Sequence, residues 1–480
     1  MKPQAGKATL SSSLAHVEAI AAAVDSLGQP NSQGHTCGRT NTGVQEMAMV
    51  IRQLRLPARA TENRRWLTQF ARRVLGAVLA GCLSGAAPAL AMNANKGQAA
   101  DQAQAAGIVR IVRNRMAVDH LRAVIVRVTI DGKEIVTEAM GESMTGVPAT
   151  KDMHFRNGAV AISYVATLLL QLVDENRVSL DDKLATWLPE IPNADRVTLG
   201  QLAQMTSGYR DYVIGNDTFD KVLLENPFRQ FAVQDLLSYA DLHKLLYEPG
   251  TSWNYAHTNY ILLGLALEKI TDKTIPVLMQ ERIFTPLALR NTLDPGGTPR
   301  VAAPVLHAFS SERRQSLGIA PGTRFYEEST YWNPSWTITR GAVQYTNIHD
   351  MATSAEAIGT GRLLSPETHR LQIAPKLRGF GTPIKDCATC ATLSNFYTYG
   401  IGIVLSGPWL LQNPLFSGQA GVMAYLPSKK IAIAVAVTFD EEAFDPSGEY
   451  GNSADDIFRA IGAYLAPDEA PPVRPQANAG

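Results

Sequence analysis

The stretch Phe155-Arg-Asn-Gly-Ala-Val-Ala-Ile162, running on as Ser163-Tyr-Val-Ala-Thr-Leu-Leu-Leu-Gln-Leu-Val173 and then Val178-Ser-Leu-Asp-Asp182, frames the rest of the chain. Its apolar density from Gly158 to Val173 fits a helix buried in a core. Upstream, an Ala/Gln-rich helical stretch near residues 98–116 precedes Ala123 to Ile130, whose apolar residues alternate. That segment turns at Asp131-Gly132 into Lys133 to Ala139, the pattern of a β-hairpin. Downstream, Ile431 to Thr438 reads as a strand, and Ile457, Phe458, Ile461, Tyr464 and Leu465 form one helical stripe. Strands at both ends with helices and long loops between them predict an α/β (α+β) fold. Its antiparallel sheet is completed by both termini, with a mainly helical insertion over about 165–340. The body then spans 108–466, after a linker and helix start at 92–107 and before a Pro-rich, disordered tail at 467–480. No internal repeat is visible.

The 480 residues are 45% hydrophobic and 18% charged, an ordinary globular composition. Lys plus Arg and Asp plus Glu balance at 44 each, but unevenly along the chain. Residues 1–91 carry ten basic and four acidic residues, leaving 34 against 40 beyond Ala91. A mildly acidic body without a basic stripe excludes nucleic acid as the partner. The basic excess precedes an apolar, small-residue run: Arg64, Arg65, Arg72 and Arg73 lead into Val74 to Ala91, which reads as a signal peptide. Two endings compete. Ala89-Leu90-Ala91 suits a signal peptidase, and Leu79-Ala80-Gly81-Cys82 matches a lipoprotein box in which Cys82 is lipidated. Either implies export to the periplasm or beyond, with the membrane touched only through a lipid anchor. Met47 and Met49 are alternative starts before this signal.

Cys387-Ala-Thr-Cys390 is the one cysteine pair of the body, and in an oxidising compartment it reads as a small loop disulfide. Neither a second ligand pair for zinc nor a thioredoxin-like unit accompanies it, so neither a metal nor a cofactor is expected.

Further fragments follow the opening stretch in order: Met205-Thr-Ser-Gly-Tyr209, Pro249-Gly-Thr251, Tyr255-Ala-His-Thr-Asn-Tyr-Ile-Leu-Leu-Gly264, Tyr399-Gly-Ile-Gly402 and Gly418-Gln-Ala-Gly421. With Phe155 to Asp182, this collinear set over about 108–466 resembles the serine β-lactamase, penicillin-binding protein and D-alanyl-D-alanine carboxypeptidase superfamily. The resemblance implies a β-lactamase/transpeptidase-like fold and a Ser-x-x-Lys motif opening the buried helix. In such enzymes the serine attacks a carbonyl, and the lysine one turn later takes or relays its proton.

The chemistry departs from that pattern at each motif. The serine position is Ala159, which has no nucleophilic atom, and the lysine position is Ile162, which cannot move a proton. Ser163 lies four residues along, about 6 Å further up the helix, and does not replace the serine. In the second motif, Tyr-x-Asn, the chain keeps Tyr255 and places His257 at the amide position. Both are ligand contacts on one reading and packing residues on the other. The third motif maps onto Gln419-Ala420-Gly421, without its ionisable side chain. What survives is an environment: free N–H groups at the head of the helix near Ala159, and a second donor from the final strand. Such a site binds a carboxylate or peptide carbonyl without chemistry. Removing the nucleophile of an unrelated serine hydrolase costs roughly 10⁶ in turnover.

Three functions follow. The first is an exported pseudoenzyme that binds a peptidoglycan-like peptide, an acyl small molecule or an envelope protein through Ala159, Tyr255, His257, Gln419, Ala420 and Gly421. The second is a working hydrolase using water activated by Tyr255 or His257, or another nucleophile. The third is an assembly protein with no small ligand.

Overall fold

The computed structural model describes residues 99–337 and 343–474. The export segment, Cys82 among it, and the last residues of the tail lie outside them.

Helix α1 occupies residues 99–118 and leads into the hairpin β1 (Leu121–Ile130) and β2 (Lys133–Met144). Ile130 pairs with Lys133, so the loop is the two residues Asp131 and Gly132. Both take positive φ, 51° and 74°, as a tight turn matching the strand twist requires. β3 (Val147–Pro148) extends the edge. The remaining sheet strands come from the other end of the chain: β4 (Thr398–Tyr399), β5 (Val404–Ser406), β6 (Trp409–Gln412), β7 (Leu415–Phe416), β8 (Gln419–Leu426) and β9 (Ile431–Phe439). Among the described residues the order is β3-β2-β1-β9-β8-β6-β5-β4, with β7 paired to β8. Every pairing is antiparallel, and β1 lies beside β9 with Val126 opposite Val435. The two ends of the body therefore close one sheet.

Both β8 and β9 are buried along their whole length, because helices cover both faces. On one face Trp409 meets Phe458 of α5 (Ser453–Leu465), ring centroids 5.2 Å apart, and Tyr464 of α5 reaches α1. On the other, Gln412 donates to Ser163 of α2 (Val160–Asp174), and Tyr425 lies against Gly359 of α4 (Ile348–Gly359). Side chains alternate along a strand, so Gln419, in step with Tyr425 on β8, belongs to the α2 face.

The insertion is mostly helices and loops, including α3 (His257–Thr271). Its base is closed where Phe155 and Arg156 pair with Thr346 and Tyr345. Residues 467–474, expected in a loose tail, are largely exposed but tied down at two points. Trp409 Nε1 donates to the Glu469 carbonyl at 2.8 Å and Arg459 to that of Pro472 at 2.7 Å. The indole and guanidinium find their acceptors there, which holds the segment down. Cys387 and Cys390 are joined by a disulfide, Cα atoms 5.5 Å apart. Among the described residues no helix is long and apolar enough to cross a membrane, and no group of three or more His, Cys, Asp or Glu is arranged to hold a metal ion.

Candidate functional site

The head of α2 is a tight turn fixed from outside. Asn157 is clamped to Gln344: its N–H donates to the Gln344 carbonyl at 3.0 Å, its Nδ2 to Oε1 at 2.8 Å, and Gln344 N–H returns to Asn157 Oδ1 at 3.0 Å. Gly158 follows at φ +49°. A Cβ there would stand 2.4 Å from Pro414 and 2.6 Å from the Phe416 ring, so backbone angle and space both demand glycine. The N–H groups of Val160, Ala161 and Ile162 donate to the carbonyls of Asn157, Gly158 and Ala159 at 3.0–3.1 Å. The N–H of Ala159 has no partner among the described residues. Ile162 is 1% exposed and belongs to the core. Ser163 is 0% exposed; its hydroxyl donates to the Gly402 carbonyl at 2.6 Å and accepts from Gln412 at 3.1 Å. It is a structural residue.

The head of α3 is capped from far along the chain. Its N-cap, Ala256, offers no side-chain acceptor, and Asp211 supplies one. Asp211 Oδ1 accepts from His257 N–H at 2.9 Å, Oδ2 accepts from Ile214 N–H at 3.1 Å, and His257 Nδ1 lies 3.0 Å from Oδ2. The carboxylate is 1% exposed and the imidazole 12%. Thr258 Oγ1 also donates to the Arg210 carbonyl at 2.6 Å, fastening Met205 to Asp211 along the helix head. Tyr255 packs edge-on to His257, centroids 5.3 Å apart. Its phenol is half-buried and has no hydrogen-bond partner among the described residues. Burial pushes its pKa well above the ordinary tyrosine value, and Tyr397, Asp211 and Tyr260 act in the same direction.

The third motif opens β8. Phe416 and Gln419 pair across the two-residue reversal Ser417-Gly418, so their side chains share the α2 face. Opposite Gln419 on β9, the buried Thr438 hydroxyl has no partner, and the Gln419 amide has none among the described residues. Ala420 is buried opposite Leu415. Gly421 N–H already donates to the Pro414 carbonyl at 2.9 Å, so Gly421 is not the free second donor that an oxyanion site requires.

Two aromatic residues link these pieces. Trp336 lies 6.2 Å from the His257 ring and 6.4 Å from that of Phe416, and Phe416 rests against Gly158. The two rings thus connect the head of α3, at His257, to the head of α2, at Gly158, and the region they span is the candidate recess, while Ile162 lies in the core. Sequence reasoning missed Asp211, Trp336 and Phe416. Only Phe416 had a local signal, the Ser-Gly reversal after two apolar residues.

The fold and this arrangement of motif positions define a β-lactamase-type chain. Residues 108–455 match the Beta-lactamase family, and the chain belongs to it. Among curated relatives it is 34% identical over 154 residues to "Penicillin-binding protein 4" of Amycolatopsis lactamdurans, covering 31% of this chain and 38% of the relative. It is 25% identical over 284 residues to the "D-alanyl-D-alanine-carboxypeptidase/endopeptidase AmpH" of Escherichia coli (strain K12), covering 53% and 72%. The chain spans well under half the length of the first three relatives it matches. Of solved structures, D-amino acid amidase from Ochrobactrum anthropi SV3 aligns with TM-score 0.62 at 18% identity, over 76% of this chain and 99% of that one. A D-stereospecific amidohydrolase from Streptomyces aligns with TM-score 0.55 at 23% identity, over 72% and 96%. These two likenesses show the fold.

Proposed function

We propose that this protein is an exported, non-catalytic member of the family that holds a peptidoglycan-like peptide or acyl ligand in the recess between the heads of α2 and α3. The observation that carries the reading is a mismatch at one site. The reactive side chains are gone, with a methyl at Ala159 and an isoleucine at 162 turned into the core. Yet polar groups of the recess, the Tyr255 phenol, the Gln419 amide and the Ala159 N–H, lack protein partners among the described residues. Polar groups near the interior are normally satisfied, so this set is what a ligand carrying carbonyl and amide groups would complete. Relatives named for penicillin binding and for D-alanyl-D-alanine carboxypeptidase activity support a peptidoglycan-like ligand. The basic segment and apolar run before Ala91 support export, with Cys82 as a lipid attachment point.

A second reading has its own observation. Asp211 orients His257 as a carboxylate orients the base of a hydrolytic triad, and an imidazole so held could activate water. Calorimetry with muropeptides, diacetyl-Lys-D-Ala-D-Ala and benzylpenicillin separates the readings when run beside p-nitrophenyl ester turnover and intact-protein mass spectrometry. Saturable binding with no adduct and no turnover is expected. Ester hydrolysis abolished by His257→Ala would establish the second reading. No response to any compound would leave an assembly role, which the Phe416 and Pro414 contacts at Gly158 favour.

A further inference from the structure

The loop 379–393 reaches back onto the chain that leads into α3. Its base is closed by backbone bonds: Gly379 N–H donates to the Leu393 carbonyl and Leu393 N–H to the Phe380 carbonyl, both at 2.8 Å. Beyond the base it leans on residues 252–254, which run into Tyr255. Thr382 N–H donates to Ser252 Oγ at 3.2 Å. A Cβ at Gly381 would stand 3.2 Å from that of Trp253. Cys390 pairs with Asn254 in an antiparallel bridge. Asn254 is fully buried and already a junction: its N–H donates to the Met205 carbonyl at 3.2 Å, its Nδ2 donates to the Tyr209 carbonyl at 3.1 Å, and its Oδ1 accepts from the Tyr247 hydroxyl.

The same loop touches the other support of α3. A Cβ at Gly215 would stand 3.2 Å from that of Ala388, and Gly215 follows Ile214, whose N–H donates to the Asp211 carboxylate that caps the helix. Ala388 lies inside the four-residue ring that the disulfide closes, and Cys390 ends it. One small ring therefore contacts both segments that hold the head of α3. Within 383–390 the backbone–backbone bonds among the described residues are two local ones, Cys387 N–H to the Ile384 carbonyl at 3.2 Å and Cys390 N–H to the Cys387 carbonyl at 3.4 Å. The S–S bond is thus the main constraint on the shape of this tip. Cys387 is half-buried among the exposed Lys385, Asp386 and Ala388, whereas Cys390 is buried.

We propose that the Cys387–Cys390 disulfide is a redox-operated clasp on the head of α3, opened by a dithiol reductant that reaches Cys387. A thiolate of the reductant attacks Cys387 Sγ, the S–S bond breaks, and the electron pair leaves on Cys390 Sγ, which takes up a proton. The reductant's second thiolate then attacks its own sulfur in the mixed disulfide and releases Cys387, which is protonated in turn. The protein disulfide gains two electrons and two protons, and the dithiol is oxidised to a disulfide. The Thr389 hydroxyl, 3.8 Å from Cys387 Sγ, stands beside the released sulfur. Once the ring is open the loop keeps its base, but Ala388 and Cys390 are no longer held at a fixed separation. The segments at Gly215 and Asn254 then lose the tie between them, and the cap on α3 loosens.

Hydrogen exchange followed by NMR on the whole chain tests the clasp. The His257 and Ile214 amides, both held by Asp211, should exchange roughly tenfold faster when dithiothreitol reduces the pair, while Val435 in the core of β9 exchanges as before. Reoxidation should restore the slow rates. The double variant Cys387→Ser/Cys390→Ser should show the fast rates with or without dithiothreitol, which separates the response from Cys37 and Cys82. If that variant does not fold, reduction and reoxidation of the native chain decide. Unchanged His257 and Ile214 rates on reduction overturn the clasp. So does an equal quickening at Val435, which would make the disulfide a staple of the whole fold. Affinity for diacetyl-Lys-D-Ala-D-Ala should fall roughly fivefold or more on reduction, an effect that rests on the ligand reading above. Faster exchange at His257 and Ile214, with the peptide binding in neither redox state, supports the clasp and defeats that reading.

Discussion

Two helix heads flank the candidate recess, and they are built differently. At α2 the backbone is fixed from outside: the left-handed Gly158, the clamp of Asn157 on Gln344 and, among the described residues, the unpartnered Ala159 N–H. Its side chains are apolar, since Ala159 carries only a methyl and Ile162 is part of the core. At α3 the side chains remain polar, with Asp211 holding His257 and Tyr255 beside it. The contrast separates two kinds of work. An apolar side chain on a buried helix serves packing and carries no desolvated charge. Positions that also cap a helix cannot be emptied without leaving donors unmatched.

The contrast breaks first at Ile162. Ile162→Lys would place an ammonium in a 1%-exposed position with no nearby carboxylate assigned to it, so the chain should lose on the order of 3–5 kcal/mol in urea denaturation. A variant of native stability would mean that position 162 has room and a partner for a cation. Asp211→Ala comes next. It strips the acceptor from the N–H groups of His257 and Ile214 and from the imidazole, and should cost about 2–3 kcal/mol. A cost below about 0.5 kcal/mol would mean that solvent replaces the carboxylate and that α3 is not held as described.

The heads also differ in how far the sequence disclosed them. The buried helix after Gly158, the Asp131-Gly132 hairpin and the sheet closed by both ends were legible, because periodicity and turn chemistry are local. Ala159, Ile162, Tyr255, His257 and Gln419 were assigned from the sequence by their order along the chain. Asp211 was not: it acts 46 residues away from His257, and nothing near it in the sequence marks it as a cap. Trp336 and Phe416 meet across 80 residues for the same reason. Gly421 was named as a ligand-binding position, and the engagement of its N–H by Pro414 follows from a loop geometry that no periodicity encodes. The carbonyls of Glu469 and Pro472 that Trp409 and Arg459 recruit in the tail carry no sequence signal.

The smallest effect on stability sharpens the contrast most. The Tyr255 phenol makes no hydrogen bond among the described residues, so Tyr255→Phe removes nothing that the fold uses. The urea midpoint should move by less than about 0.5 kcal/mol, the ordinary range for a substitution that breaks no contact. Affinity for a muropeptide should nevertheless fall by roughly tenfold, the equivalent of one lost hydrogen bond of about 1.4 kcal/mol. The two readouts constrain each other. Unchanged stability with weakened binding places the phenol in the ligand's service. Lost stability would show that the hydroxyl is bonded within the fold, and α3, like α2, would then have turned its inherited motif over to packing.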